Sequence, residues 1–266
     1  MNKTFVPFGL PLILLLINIA DVMAATAMRV VTLSPHATEL VYFAGGESSL
    51  VGISNFSDYP PSVKTLPRVG DATGLDRERI LMLQPDLVVV WSGGSRYRDL
   101  QWLRRQQIRV FESDPQSLQA IAADILALGK LLGTEQQARD SVDNFTLKMK
   151  QLQRLKQGQS SEPKVIHQVW QHPLMLLTDE ELVSQALALC GISNPVHLPG
   201  HKLATVGDEY LWSLDADAIL VDDKSFFAAD SRSSAAVIRA DTLRLHRPTP
   251  RLLDAALEVC SEFRHE

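Results

Sequence analysis

The sequence predicts an α/β protein of two lobes joined through a helical segment, and three observations carry that expectation. Short β-branched runs such as Val30-Val31-Thr32-Leu33 and Leu87-Val88-Val89-Val90 alternate with amphipathic stretches, the pattern of buried parallel strands in βαβ units. A proline-free stretch from Ser117 to Lys156 separates an earlier group of such runs from a later one. A unit of short helix plus strand also recurs at a constant spacing of 131 positions (78 to 209, 86 to 217), where Glu78 through Val90 resembles Glu209 through Val221. Duplicated lobes give such a repeat once per half.

In chain order, Lys3 precedes an apolar run from Phe5 to Ile17 that reaches Val22-Met23-Ala24, the three regions of a secretory signal. Pro7, Pro11, Asn18 and Asp21 interrupt the run, whereas an anchor needs about 20 apolar residues. No cysteine stands at the cleavage site to take a lipid. Residues 1–24 are therefore expected to be a removed signal peptide, which places the protein in the periplasm. The lobes are expected at 25–116 and 159–266, with a helical segment at 117–158.

In the first lobe, strands are expected at Arg29 to Leu33, Leu87 to Trp91 and Ile108 to Phe111. Ser34 or Thr38 caps a helix running to Gly45-Gly46, and a second helix spans Asp76 to Leu83 before Pro85. Within 117–158, apolar residues at Leu118, Ile121, Ile125 and Leu128, then at Ala138, Val142, Phe145, Met149 and Leu152, have helical spacing and predict one helix followed by a long one. The second lobe should hold strands at Val165 to Trp170 and Ala218 to Val221, with helices at Glu180 to Leu189 and Arg251 to Phe263.

A formal charge of −5 argues against a polyanion partner. The basic residues at Arg104-Arg105 and Lys148 to Lys156 are interleaved with polar helix formers, so no nucleic-acid role is expected. The two cysteines, Cys190 and Cys260, meet an oxidising compartment and are expected to form one disulfide, the alternative being two buried thiols acting as small apolar residues. No H-E-x-x-H, G-x-S-x-G, P-loop or G-x-G-x-x-G pattern is present, and Pro199-Gly200 breaks the only helical spacing of two histidines, His197 and His201. Neither catalytic residues nor a metal site is expected, and an exported enzyme is the remote alternative.

Several of these segments together carry a resemblance: Arg29 to Pro35 with Thr38-Glu39, Gly52-Ile53-Ser54, Ser57-Asp58-Tyr59-Pro60-Pro61, Pro85-Asp86-Leu87-Val88, and Trp91 before Gly93-Gly94. The chain resembles the cobalamin-binding branch of the helical-backbone class of periplasmic solute-binding proteins, which serve ABC importers. The resemblance implies two Rossmann-like lobes linked by one long α-helix, a ligand in the cleft between them and little hinge closure. It also implies a vitamin B12-like corrinoid, or a related large planar ligand, carried as cargo with no resident cofactor. The implied partners are the permease and ATPase of an importer in the inner membrane.

A large flat ligand is held by rigid aromatic walls at strand ends. The expected ligand-binding residues are Phe56, Tyr59, Trp91, Trp170 and Asp241. Gly93-Gly94 is expected to give the ligand close access to bare backbone beside Trp91. The resemblance places Phe56 where the family has Tyr, and Ala72 and Leu203 where it has Trp. It assigns permease docking to one exposed glutamate per lobe, Glu78 and Glu209. Within the same class, heme would draw on His36, Tyr59 or His172 as axial ligand, and a ferric siderophore on Arg244 and Arg247.

Overall fold

A computed structural model describes residues 28–157, 161–222 and 235–263, so the expected signal peptide lies outside the described residues. The first lobe runs β1 (Val30–Thr32), α1 (Pro35–Phe43), β2 (Leu50–Gly52), the antiparallel hairpin of β3 (Gly70–Asp71) and β4 (Gly74–Leu75), α2 (Arg77–Met82), β5 (Leu87–Trp91), α3 (Tyr97–Arg105) and β6 (Arg109–Ser113). Its four parallel strands lie in the order β2-β1-β5-β6. Strand side chains alternate between faces. Val30, Leu87 and Val89 therefore pack with α1, while Val31, Val88 and Val90 pack with Ile80, Leu100 and Leu103 from α2 and α3.

Helix α4 (Leu118–Leu132) starts at the Ser117 cap and ends where Gly133 turns left-handed at φ 71. Helix α5 (Glu135–Lys156) is the long one, with 22 residues spanning about 33 Å. The two helices touch closely: a Cβ on Gly129 would stand 2.4 Å from that of Ala138, so only glycine fits there.

The second lobe runs β7 (Val165–Trp170), β8 (Leu174–Leu177), α6 (Leu182–Ala188), β9 (Leu203–Val206), α7 (Asp208–Ser213), β10 (Ala218–Asp222), β11 (Ala236–Ala240), α8 (Thr242–Leu245) and α9 (Arg251–Glu262). Its sheet order is β11-β10-β7-β8-β9, with β7, β10 and β11 parallel and β8 and β9 antiparallel additions. Sequence patterning misses the β3–β4 hairpin, β8, β9, β11, α3 and α8. Cys190 and Cys260 form a disulfide that joins the end of α6 to α9, with Cα atoms 6.3 Å apart.

The repeated unit is the same structure in both lobes. Asp86 and Asp217 each precede a strand, and each carboxylate accepts from the backbone N–H before the lobe's first strand, Arg29 at 2.8 Å and Lys164 at 2.7 Å. One buried apolar cluster runs from α1 and β1 through α4 and α5 into α6, α9 and the second sheet. The lobes therefore share a core, and hinge motion would have to open it.

Candidate functional site

In an open parallel sheet, ligands bind beyond the carboxyl ends of the strands where the winding direction reverses. Here β1 leads to β2 on one side and β5 to β6 on the other, so the reversal lies between β1 and β5. A hollow of about 480 Å³ sits there, walled by Leu33, Ser34 and Pro35 after β1, by Phe56, by Ala72 and Thr73 of the hairpin turn, and by Trp91 at the end of β5. A second hollow of about 410 Å³ opens between the lobes, lined by His36, Trp91, Asp114, Glu181, Lys202 and His246. Trp91 belongs to both.

Phe56, 70% exposed, is held by its loop and not by packing of its ring. A buried chain of hydroxyls runs from Thr32 to Thr38 (2.7 Å), Ser57 (2.8 Å) and Ser54 (2.8 Å). The Arg68 guanidinium donates to the carbonyls of Ser54, Asn55 and Ser57 at 2.9, 3.2 and 2.7 Å, closing the loop around Phe56. Sequence reading passes over Arg68, because a single arginine in a proline-rich stretch carries no local signature. The hairpin wall is fixed similarly: Asp71 accepts from Asn55, Thr73 N–H and Thr73 Oγ1, and Arg96 bridges Thr73 O and the Asp99 carboxylate.

Trp91, 40% exposed, donates from Nε1 to Asp114 Oδ1 at 3.2 Å and meets the His36 ring edge-on at 5.5 Å. Gly93-Gly94 also shapes the seat of the indole. A Cβ on Gly94 would lie 2.2 Å from Trp91 Cε3, and one on Gly93 2.8 Å from Trp91 Nε1. The bare backbone seats the indole itself, while Gly94 also lines the first hollow and Gly93 the second. Burial, reinforced by the charge of Arg247, lowers the His36 pKa to about 4, so the imidazole is neutral at physiological pH.

The other expected residues lie apart from these two hollows. Tyr59 packs against Tyr42 and Phe43 and lies over the Arg251 guanidinium at 4.1 Å. Trp170 is exposed at the end of β7, its Nε1 donating to the His172 carbonyl at 2.9 Å, and His172 is exposed beside it. Asp241 caps α8, accepting from Arg244 N–H at 3.2 Å and Arg244 Nε at 2.8 Å. Burial would raise its pKa, but the Arg244 hydrogen bonds outweigh that and hold the carboxyl below the usual range. Glu78 and Glu209 both stand exposed in the first turn of a six-residue helix, α2 and α7.

The two arginines that would serve an anionic chelate are committed elsewhere. Arg244 pairs with Asp241 and Glu258. Arg247 Nη1 donates to Glu39 at 2.7 Å and to Asp58 at 2.5 Å. Glu39 is fully buried and also accepts from Arg251 Nη1 at 2.8 Å and Thr249 Oγ1 at 2.7 Å. Burial alone would lower the Arg247 pKa, but the two carboxylates outweigh it and raise the value. This cluster ties α1 and the 54–58 loop to α9 across the lobes, a long-range arrangement that sequence patterning does not reveal.

A family profile described as "Periplasmic binding protein" matches residues 30–244. Among curated proteins, the chain is 30% identical to the vitamin B12-binding protein of Photorhabdus laumondii, covering 96% of this chain and 94% of that protein. It is 32% identical to the protein of the same name from Yersinia pseudotuberculosis, covering 94% and 91%. Among solved structures, the periplasmic vitamin B12 binding protein BtuF of Vibrio cholerae superposes with a TM-score of 0.79 at 28% identity, covering 88% of this chain and 96% of that one. The periplasmic heme-binding protein RhuT of a Roseiflexus species reaches 0.78 at 22% identity, covering 89% and 98%. That likeness extends to the fold alone.

Proposed function

The chain belongs to the periplasmic binding protein family, and from that premise we propose that it captures vitamin B12 or a related corrinoid in the interlobe cleft and delivers it to an ABC importer. The observation that carries the reading is the juxtaposition of an exposed Phe56 and Trp91 on adjoining hollows at the switch point of the first sheet, in a chain full-length similar to proteins named for vitamin B12 binding. Rigid aromatics present large apolar area at low entropic cost, which suits a flat macrocycle. Trp170 reaches the ligand from the second lobe, and Tyr59 and Asp241 act from behind the wall: Tyr59 steadies Arg251, and Asp241 holds Arg244. Binding without turnover is the expected activity.

Glu78 and Glu209 are the docking residues of this reading. They occupy equivalent places in the repeated unit and project from opposite lobes. Exposed carboxylates at a protein rim govern encounter and orientation more than intrinsic affinity. Reversing both to lysine is expected to impair association with the cognate permease in a pull-down while leaving corrinoid affinity of the free protein unchanged. Equal loss of both would place these glutamates in the ligand site.

One observation favours heme as the second reading: His36, neutral and lining the interlobe hollow, could serve as an axial ligand. Titration of the purified protein with cyanocobalamin and with hemin, followed by calorimetry and absorbance, separates the two. Corrinoid heat without a hemin Soret shift is expected, and the reverse outcome would overturn the corrinoid reading.

A further inference from the structure

The two adjoining hollows have different chemistry. The one between the lobes is faced by Asp114, Glu181, Lys202 and His246, groups that suit polar substituents. The other, wholly within the first lobe, has Phe56, Trp91, Leu33 and Leu100 among its walls, and its charged side chains are hydrogen-bonded to neighbours. Asp71 is bound by Asn55 and Thr73, while Asp99 is bound by both Arg77 and Arg96. Hydrogen bonding from Thr73 and Asn55 holds the Asp71 carboxyl below its usual range. Asp99 is neutralised by its arginines, but Asn55 and Thr73 are neutral donors, so Asp71 keeps its negative charge and the hollow disfavours an anion. What enters it is therefore not anionic, with rings that meet the apolar walls. Its polar atoms could be met by Asp71 and by hydroxyls such as that of Ser95, which also lines it.

We infer that the first-lobe hollow receives a bulky, uncharged organic group projecting from the upper face of the bound macrocycle, so that the protein prefers corrinoids carrying a nucleoside-sized upper axial group over those carrying a small one. This rests on the corrinoid reading above. Three features support it. The hollow shares Trp91 with the interlobe hollow, so a ligand lying in the cleft passes the indole edge to enter it. Its volume, about 480 Å³, lies within the range of about 300–1,000 Å³ in which small organic groups are enclosed, whereas a cyano or aquo group would leave most of it unfilled. The hairpin turn that faces it carries only a methyl at position 72, between Asp71 and Thr73, and a larger side chain there would take up the space.

The test is calorimetry in the dark with adenosylcobalamin and cyanocobalamin, on the unaltered protein and on Ala72→Trp. Ala72 is exposed in the turn between β3 and β4, so the indole is expected to leave the melting temperature unchanged. The unaltered protein is expected to bind adenosylcobalamin about tenfold more tightly than cyanocobalamin, the effect of enclosing an added uncharged ring system. Ala72→Trp should abolish that preference by weakening adenosylcobalamin binding more than cyanocobalamin binding, so that the ratio of the two affinities falls from about tenfold to about one. Equal affinities in the unaltered protein, or a preference that survives Ala72→Trp, would overturn the inference while leaving the corrinoid reading intact. Failure of both corrinoids to bind would overturn the reading itself.

Discussion

In the first lobe, β1 ends at Thr32 and the chain enters a helix at once, with Ser34 Oγ capping Ala37 N–H and Pro35 supplying a preset first-turn φ. In the second lobe, β7 runs on to Trp170 and folds back through Gln171 to Pro173 into β8, which then pairs with β9. The two halves thus share a helix-to-strand unit and part company directly after their first strands. The helical exit of the first lobe leaves a hollow beside β1 and β5 that aromatic residues line. The hairpin exit of the second extends its sheet instead, and that lobe faces the interlobe hollow with Lys202, Leu245 and His246. One lobe supplies apolar enclosure and the other a polar rim, which accounts for a site built unequally from a duplicated frame.

The sharpest way to break this comparison is to remove the one covalent tie, which only the second lobe has. The Cys190–Cys260 bridge closes a 70-residue separation and is fully buried. Chain-entropy arguments give such a bridge about 4 kcal/mol. Replacing both cysteines with alanine should lower urea-unfolding stability by that order. Because one core runs through both lobes, fluorescence of Trp91 and of Trp212 should report a single shared transition. Separate transitions would mean that the lobes are independent.

The charge cluster between the lobes comes next. Glu39→Gln keeps the volume but leaves Arg247 and Arg251 without their buried carboxylate, and removing one partner of a buried pair costs about 3 kcal/mol or more. The same substitution should loosen the lobes, raising the ligand dissociation rate. A stability loss within experimental error would show that the lobes are held by the apolar core alone.

Acid sharpens the comparison because each lobe carries a buried neutral histidine near its first strand. Burial, then the charge of Arg247, lowers His36 to about 4; burial, then the neighbouring His246, lowers His167 to about 3. His246 Nε2 lies 3.0 Å from His167 Nε2, an arrangement that needs one ring to donate and the other to accept. Folded pKa values lie below the unfolded value near 6.5, so between those limits the unfolded chain binds more protons and stability falls as pH falls. The expected slope is about 1.4 kcal/mol per pH unit for each histidine, starting below about pH 6.5. It should level first for His36, near pH 4. Denaturation at pH 7, 6, 5 and 4 measures it, and His167→Phe should remove that residue's share, leaving the part that comes from His246, whose pKa burial also lowers.

Much of the frame is legible in the sequence because its signals are local. Asp76 precedes a short helix and caps it, Gly133 stops α4 and permits α5 to begin, and the run from Leu87 to Trp91 is uninterrupted, so each element follows from a few neighbouring residues. β8 is harder to read, since Leu174-Met175-Leu176-Leu177 is a four-residue apolar run with no period of its own. The site is less legible still. Phe56 and Trp91 can be picked out as aromatics at strand ends, but their places depend on Arg68, Asp114 and the two glycines beneath the indole. The Glu39 cluster joins residues more than 200 positions apart, and no spacing rule reaches that far.

The smallest expected effect tests the shared part of the comparison. Asp86 and Asp217 are both exposed, yet each carboxylate fixes the backbone N–H at the entrance of its lobe's first strand, and each aspartate's own N–H donates back to that same residue's carbonyl at 2.9 Å. A charge-assisted bond to an exposed backbone donor contributes about 1 kcal/mol. Asp86→Ala and Asp217→Ala should therefore each cost about that much, by equal amounts and additively, since the sites are far apart and share no partner. Asparagine at either position retains an acceptor and should recover most of the loss. Unequal costs would mean that the two strand entrances, alike in geometry, have different energetic weight, and that the hairpin exit of β7 alters the strand it follows along its whole length.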